Sequence, residues 1–538
     1  MRIRGLVGAL VVLAALALAA AAFGQQPSIV LVLTDDQRFD TIAEMPNVQS
    51  DLVDHGVDFT NAFVVNPLCC PSRASILTGQ YSHTTGVYSN QGKHGGFHIF
   101  RDATTIATSL QAAGYETAHF GKYLNGYSGT YVPPGWSRWA AFSPVFRSNL
   151  YYDFTLNEDG VLVPYNGPAN YSTDVLADMA ADFIRETNGP LFLVFAPTAP
   201  HAPAIPARRH DGDFAGMAPW RPPSYNEADI SDKPEFARTR PLWDATRRAT
   251  EDAFHEKQLE TLLSVDDAVG RLVDALRATG RLAHTLFAFT SDNGLSWGEN
   301  RWNSKYVADE ASIRVPLVVR YDRLVDTPRA EARLALNIDL APTFAALAGT
   351  PLKAEGRNLA PLLRGSGGSW RSAFLVEHMG PFAPPYCVLR RFALKYVQYA
   401  TGEEELYNLA ADPYELQNLA ARPEYRQLRH TQRVRLREVC NPPPPRLTLL
   451  GYCTRTGTNK RNIIVGSRWF DYVCAKDDND RIEPRGNADV VVAGDGNDLV
   501  LVRGGGRDRV QCGRGRDRVV ADRTDVVDHA CEVVERYG

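Results

Sequence analysis

The segment SIVLVLTDDQ, residues 28–37, decides how this chain folds. Its apolar stretch from Ile29 to Leu33 is unbroken and rich in β-branched side chains. Such a run is typical of a strand that is buried on both faces. Similar runs occur at residues 191–195, 285–289 and 316–319, and apolar residues recur at helical spacing between Leu259 and Leu276, ahead of a helix-ending Gly280. This alternation predicts an α/β sandwich with helix layers on both faces of a sheet.

Polar residues follow three of the predicted strands. Asp35 and Asp36 end the first run, Asp292 and Asn293 follow the run at 285–289, and His201 comes soon after residue 195. In α/β folds, ligands gather at the carboxyl ends of the strands. Carboxylate and amide oxygens suit calcium or magnesium better than zinc. We therefore expect a functional site at this edge of the sheet.

The bulk composition is that of an ordinary globular protein. The chain has 538 residues, of which 44% are hydrophobic and 22% charged, and its formal net charge is -4. This length is enough for two or three domains. The net charge favours neither nucleic acid nor a strongly anionic surface as a partner.

The first residues have the pattern of an export signal. Arg2 and Arg4 precede an apolar run at residues 6–23, and small residues near Gly24 suit a signal peptidase. Residues 1–24 are therefore predicted to be a signal peptide, with an uncleaved membrane anchor as the alternative. We expect a secreted, extracellular protein without stable membrane insertion.

The eight cysteines fit an oxidising compartment. Cys69 and Cys70 are adjacent, which is a poor geometry for a mutual disulfide. The other six lie in the last third of the chain, and their sequential pairing would close three loops, although spacing alone does not decide the connectivity. These six are Cys387, Cys440, Cys453, Cys474, Cys512 and Cys531.

Composition divides the rest of the chain. Residues 25–370 form the predicted α/β domain, and residues 371–441 a smaller α+β subdomain with strands at 392–397 and 405–409 and a helix at 422–437. Residues 442–448 are a proline-rich linker. Residues 449–538 form a tail rich in Gly, Asp, Arg and Val.

The tail carries an aspartate repeat. Asp489, Asp498, Asp508 and Asp517 recur every nine or ten residues, each followed by a short apolar stretch. The pattern resembles the nonapeptide repeats of calcium-binding, haemolysin-type β-rolls, although only residues 494–499 approach that pattern, and Arg507, Arg514 and Arg516 intrude. Two alternatives stay open: a β-roll that holds additional Ca²⁺, and a disulfide-linked β-solenoid that holds little or no metal.

The chemistry-bearing motif is CCPSRASILTG at residues 69–79. It places a thiol, a proline turn and Arg73 just before an apolar stretch that can open a helix, a setting that favours an anionic nucleophile or an anionic substrate. The motif resembles the signature of the formylglycine-dependent sulfatases of the alkaline-phosphatase-like superfamily. That resemblance implies an α/β/α sandwich with a large mixed sheet, a C-terminal α+β subdomain and, in this chain, an added β-roll-like tail.

The resemblance also implies site residues. A formylglycine-generating enzyme would oxidise Cys69 to Cα-formylglycine, with Cys70 as a spectator. The metal ligands would be Asp35, Asp36, Asp292, Asn293 and residue 69, around one Ca²⁺ or, alternatively, Mg²⁺. Lys122 and Lys305 would contact the sulfate, His201 would protonate the leaving oxygen, and Arg73 would hold the formylglycine hydrate. Many relatives carry a histidine at the position of Leu124, so one proton-transfer role lacks its residue here.

The resemblance implies hydrolysis of sulfate monoesters. Three segments are similar in sequence to the N-acetylglucosamine-6-sulfatases: residues 69–79, GKYLN at 121–125 and LSVDD at 263–267. A sulfated sugar of the glycosaminoglycan type or an aryl sulfate is the expected substrate, and no nucleic acid is expected as a partner. Two alternatives stand beside it: a phosphoric ester or phosphonate monoester hydrolase of the same superfamily, and an inactive calcium-dependent matrix-binding protein.

Replacing Cys69 with alanine should abolish turnover and leave the fold intact, because the coded thiol is the precursor of the nucleophile. Hydrolysis of an aryl sulfate and the circular dichroism spectrum are the two measurements. Full activity in Cys69→Ala would rule out this role.

Overall fold

A computed structural model describes residues 26–143, 150–366, 368–444, 455–467, 471–486 and 489–538, so the predicted signal peptide lies outside it. Its largest element is a mixed ten-stranded sheet. In order across the sheet, the strands are Arg329–Glu331, Val57–Phe59, Leu317–Arg320, Thr285–Ser291, Ser28–Thr34, Leu191–Ala196, Glu116–Gly121, Arg138–Phe142, Phe154–Glu158 and Val161–Tyr165.

The centre of this sheet is parallel. Ser28–Thr34 pairs in parallel with Thr285–Ser291 on one side and with Leu191–Ala196 on the other, and Leu191–Ala196 pairs in parallel with Glu116–Gly121. Antiparallel pairs lie farther out, such as Leu317–Arg320 with Thr285–Ser291. The four central strands therefore end at one edge, where the predicted site residues follow them.

Side chains of the central strand alternate between two hydrophobic cores. Ile29, Leu31 and Leu33 pack on one face, in a core that includes residues of the helices Cys69–Thr78, Ile106–Ala112 and Leu340–Ala348. Val30 and Val32 pack on the other face, with residues of the helices Ser172–Glu186 and Ala245–Ala278. The predicted α/β/α sandwich with a large mixed sheet is therefore confirmed.

The helices include one of 34 residues. Ala245–Ala278 begins at Asp244, whose side chain accepts a hydrogen bond from the Arg247 amide, and it ends just before Gly280, as predicted. The remaining described α-helices are Pro46–Asp51, Ser82–Thr85, Glu235–Arg238, Glu310–Ile313, Ala360–Leu363 and Arg426–Val439. Turns of 3-10 helix lie at Ile42–Glu44, Val53–His55, Phe97–Ile99, Leu282–His284, Asn337–Asp339 and Pro423–Tyr425.

Two smaller sheets belong to the region before the tail. One pairs Ala62–Phe63 with Ala335–Leu336, and the other has the strand order Ala373–His378, Tyr386–Arg391, Leu394–Tyr399 and Glu404–Asn408. The strand predicted at residues 392–397 therefore begins two residues later. The described chain divides into two compact units: residues up to 383 with 388–396 and 405–422, and residues 384–387, 397–404 and 423–538.

The tail is a coil of short strands that alternate between two parallel five-stranded sheets. The first sheet contains Arg455–Thr456, Tyr472–Cys474, Val490–Val492, Arg509–Gln511 and Val526–Val527, and the second contains Ile463–Val465, Arg481–Glu483, Leu499–Val502, Arg518–Asp522 and Val533–Tyr537. Buried valines and isoleucines such as Val491 and Ile482 fill the space between them.

The repeated aspartates point into this coil. The carboxylate of Asp489 accepts the Asp471 amide at 2.7 Å, and that of Asp508 accepts the Asp489 amide at 2.6 Å. Asp498 and Asp517 do the same for the neighbouring coils. Burial raises the pKa of Asp489 and Asp508 to about 7 and that of Asp498 to about 6. Calcium in the tail stays a prediction.

Two predicted disulfides are present. Cys387 bonds to Cys440 and Cys512 bonds to Cys531, which confirms two of the sequential pairs. Cys474 is also disulfide-bonded, whereas Cys453 lies outside the described residues. Within the described ranges, no helix has the length and apolarity needed to cross a membrane.

Gly121 ends a central strand of the sheet where it packs closely against the neighbouring strand. Its φ is +118°, and a Cβ there would lie 1.9 Å from the Ala196 carbonyl oxygen of the neighbouring strand. Gly121→Ala should lower the free energy of unfolding by about 2–4 kcal/mol because it adds both backbone strain and a clash. Gly189→Ala is the control, since nothing lies within 4 Å of its Cβ position. Equal urea midpoints for the two variants would contradict the close strand contact.

Candidate active site

Cys69 is the first residue of the buried helix Cys69–Thr78. Pro71 stands in the first turn, where a missing amide hydrogen costs nothing, and Gly79 ends the helix in the left-handed conformation with φ +69°. The amide groups at the start of a helix carry partial positive charge. The thiol therefore lies where the backbone favours an anion.

Two carboxylates and one ammonium group surround the thiol. Its Sγ lies 3.5 Å from Asp35 Oδ1, 4.0 Å from Asp36 Oδ1 and 2.7 Å from Lys305 Nζ. Cys69 is 1% exposed. Burial raises the pKa of the Cys69 thiol to about 12, although Lys122 and Lys305 oppose this rise. An unmodified Cys69 is therefore a protonated thiol near neutral pH.

Hydrogen bonds join the ends of two central strands at the site. The Asp36 amide donates to Asp292 Oδ1 at 3.2 Å, and the Gln37 amide donates to Ser291 Oγ at 2.9 Å. Asp36 has a φ of +68°, an uncommon conformation for a residue other than glycine. The carboxylates of Asp35, Asp36 and Asp292 are thereby brought to one place.

Three cations neutralise these carboxylates. Lys122 contacts Asp35, Lys305 contacts Asp36, and Arg73 Nε donates to Asp292 Oδ2 at 2.7 Å. Burial opposes ionisation of Asp35, but the nearby positive charges, Lys122 first, outweigh it and lower the pKa of Asp35 to about 2. Burial likewise opposes a charged Lys305, yet Asp36 raises the pKa of that lysine well above its usual value. These ion pairs therefore favour the charged forms of Asp35 and Lys305 at neutral pH.

The donor set fits a hard divalent cation. Ligand atoms of Asp35, Asp36, Cys69 and His201 all lie within 4.8 Å of one another. Asn293 Nδ2 donates to Asp36 Oδ1 at 2.7 Å, while its buried Oδ1 accepts no hydrogen bond from any described residue. Carboxylate oxygens with an unused amide oxygen are ligands that calcium and magnesium prefer.

His201 lies at the open side of the cluster. Its Nε2 is 3.7 Å from Asp36 Oδ2, and its side chain is 35% exposed. Nδ1 lies 2.7 Å from the Ala202 carbonyl oxygen, an acceptor that requires a hydrogen on that nitrogen. Nε2 is therefore the ring atom that is left to exchange a proton with a bound molecule.

Every site residue predicted from the motifs lies in or beside this cluster. Leu124 is buried in the hydrophobic core, so it supplies no proton-transfer group. Cys70 is fully buried, and its backbone amide donates to Asn90 Oδ1 at 2.9 Å. Sequence reasoning missed Asn90 and Ser291, although Ser291 directly precedes the predicted ligand Asp292.

The amino-acid sequence matches two known protein families. The family described as Sulfatase matches residues 27–350, and the family described as N-sulphoglucosamine sulphohydrolase, C-terminal, matches residues 298–441. The N-acetylglucosamine-6-sulfatase of Homo sapiens is 32% identical over 457 residues, which cover 74% of this chain and 82% of that protein.

Two further comparisons agree. The Drosophila melanogaster extracellular sulfatase SULF-1 homolog is 33% identical over 375 residues, which cover 66% of this chain but only 33% of that longer protein. A solved structure described as a complex with its substrate D-glucosamine-2-N,6-O-disulfate has 25% sequence identity and a TM-score of 0.70, and the match covers 78% of this chain and 98% of that one. The buried cysteine with its carboxylates and lysines thus stands in a chain that belongs to the sulfatase family.

Proposed function

We propose that this protein is an exported hydrolase of sulfate monoesters on sulfated amino sugars, with Cα-formylglycine at position 69 as the nucleophile and one Ca²⁺ as the cofactor. The observation that carries the proposal is the position of Cys69. It starts a buried helix and lies within 4.0 Å of two carboxylates and one lysine.

The charges of the cluster support an anionic substrate. The carboxylates Asp35, Asp36 and Asp292 are balanced by Lys122, Lys305 and Arg73. A divalent cation added to this neutral set makes the site net positive. Preorganised positive charge is what a sulfuryl transfer requires, because negative charge grows on the sulfonyl and leaving oxygens in the transition state.

The cation would be held by Asp35, Asp36, Asp292 and Asn293, and it would supply Lewis-acid polarisation of a sulfate oxygen. The hydrate of formylglycine at position 69 would supply two hydroxyl groups on one carbon. One would attack sulfur as the S–O bond to the alcohol breaks, and the other would lose its proton and re-form the aldehyde as the C–O bond to the sulfate breaks. An unmodified serine or cysteine has no second hydroxyl of this kind.

We assign the remaining roles to other side chains of the cluster. Lys305 and Lys122 would bind the sulfonyl oxygens by turning from their carboxylates toward the ester. Asp36 would accept a proton from position 69, since its Oδ1 lies near Cys69 Sγ. His201 would donate a proton through Nε2 to the leaving oxygen.

The substrate class rests on relatives. The human relative is an N-acetylglucosamine-6-sulfatase, and the solved neighbour holds a glucosamine with 2-N and 6-O sulfates. The Drosophila relative is described as extracellular, which supports export of this chain.

The proposal is tested by comparing hydrolysis of an aryl sulfate with that of the matching aryl phosphate, using protein from a host with a formylglycine-generating enzyme. We expect a sulfate preference of at least about 100-fold in kcat/KM, equivalent to about 3 kcal/mol. Cys70→Ala is the matched control for loss of Cys69, and it should keep the activity of the parent protein. A preference for the phosphate would favour the phosphoric ester alternative.

Arg73→Gln should leave Asp292 as an unpaired buried carboxylate. We expect the free energy of unfolding to fall by about 3–5 kcal/mol, against less than about 1 kcal/mol for Arg185→Gln, which breaks an exposed pair with Asp182. The double variant Arg73→Gln, Asp292→Asn should recover part of the stability but none of the aryl sulfatase activity. Recovery of both would show that the pair acts only in folding.

Chelation should remove activity, and added Ca²⁺ should restore it, because the donors are hard oxygens. Asn293→Ala should raise the Ca²⁺ concentration needed for half-maximal activity by about tenfold, the loss expected for one ligand of about 1.4 kcal/mol. Activity that survives exhaustive chelation, or an Asn293→Ala variant with an unchanged Ca²⁺ requirement, would contradict the assigned ligands.

A further inference from the structure

The coiled tail separates its charges by depth. Residues 455–538 contain fifteen Lys and Arg residues and fifteen Asp and Glu residues, so their formal charges cancel. Seven of the aspartates are buried, whereas every described lysine and arginine of this segment is exposed. Burial of the aspartates among backbone amides removes their negative charge from the surface. The exterior of the coil is therefore more basic than its composition indicates.

A groove on the first sheet of the tail is lined by two of these exposed arginines. Its volume is about 690 Å³, within the range of sites that hold a small ligand. One row of side chains, in register across four neighbouring strands, lines it: Tyr472, Val490, Arg509 and Val526. The turn at residues 400–402 lines the same groove.

Two arginines line the groove, Arg507 and Arg509. Neither forms an ion pair with a described residue. This distinguishes them from Arg481 and Arg518 on the second sheet, which pair with Glu483 at 2.5 Å and Glu535 at 2.8 Å. The groove arginines therefore have guanidinium groups available for an external anion.

Two carboxylates line the groove, the buried Asp489 and the exposed Asp528. Asp489 is buried and accepts the Asp471 amide, and Asp528 accepts the Ala530 amide at 3.1 Å. Neither one pairs with the groove arginines in the described structure. With Asp489 buried, the exposed charges of the lining are those of Arg507, Arg509 and Asp528, and aliphatic and aromatic surface lies beside them.

We propose that this groove binds a sulfated oligosaccharide. A guanidinium group matches the oxygens of a sulfate with two parallel hydrogen bonds, and valine and tyrosine side chains offer an apolar surface for the C–H face of a sugar ring. Among the described residues, the groove lining has no run of aromatic platforms of the kind that single-stranded nucleic acid uses for base stacking. The choice of a sulfated glycan rests on the proposed function, since the catalytic site would act on the same class of sugar.

The test measures binding of the full chain to immobilised heparin as NaCl concentration is varied. We expect Arg507→Gln, Arg509→Gln to weaken binding by at least about tenfold at near-physiological salt, a loss of about 1.4 kcal/mol. The matched control is Arg514→Gln, Arg516→Gln, because these exposed arginines have the same spacing and lie outside the groove lining. The control should change the affinity less than about twofold.

Several results would overturn the proposal. Equal weakening by the two double variants would show diffuse attraction to the basic surface. Equal affinity for heparin and for fully desulfated, N-acetylated heparin would remove the role of sulfate, and equal affinity for single-stranded DNA would show a general polyanion surface. Because all four arginines are exposed, the folding of both variants can be verified from the unfolding midpoint.

Aryl sulfate turnover separates this proposal from the catalytic one. Arg507→Gln, Arg509→Gln should hydrolyse a small aryl sulfate at the rate of the parent protein, since neither residue belongs to the catalytic cluster. Loss of heparin binding with intact turnover supports the groove. Heparin binding by a parent protein that cannot hydrolyse the aryl sulfate would instead contradict the catalytic proposal and leave the groove result standing.

Discussion

Three buried carboxylates at one edge of the sheet are the constraint on which the site depends. Two like charges about 4 Å apart repel by about 4 kcal/mol at the effective dielectric of a protein interior. Asp35, Asp36 and Asp292 persist as a group because Lys122, Lys305 and Arg73 each meet one of them. This balance has a functional consequence. In the function we propose, a cation held by the carboxylates would leave the lysines to bind an anionic ester.

The sheet itself was well predicted from the sequence. The central strands are buried on both faces, so the whole run at Ser28–Thr34 is apolar or β-branched apart from its first residue. Boundaries were less certain where one face meets solvent. The strand expected at residues 392–397 begins at Leu394. Phe392, the first apolar residue of the expected run, is 62% exposed and lies outside the strand. Likewise, the apolar pattern that predicted the long helix begins only at Leu259, whereas the helix begins at Ala245. Its first turns are polar, so apolar periodicity could not show where it starts.

The candidate site was predictable in its residues but not in its contacts. Strand-end motifs identified the carboxylates, and the cysteine motif identified Arg73. The pairing of Arg73 with Asp292 joins residues 219 positions apart, and spacing in the sequence contains no information about it. The tail shows the same limit. Its aspartate period is visible in the sequence, but the inward direction of the aspartates and the outward direction of the arginines depend on the coil.

The chemistry proposed for this site depends most directly on the chemical state of position 69. Mass spectrometry of the peptide that contains Cys69, prepared from protein of the native host, measures that state. The proposed chemistry predicts an aldehyde or its hydrate in place of the thiol, with Cys70 unchanged. A peptide with an intact Cys69 thiol, from protein that hydrolyses an aryl sulfate at full rate, would contradict it.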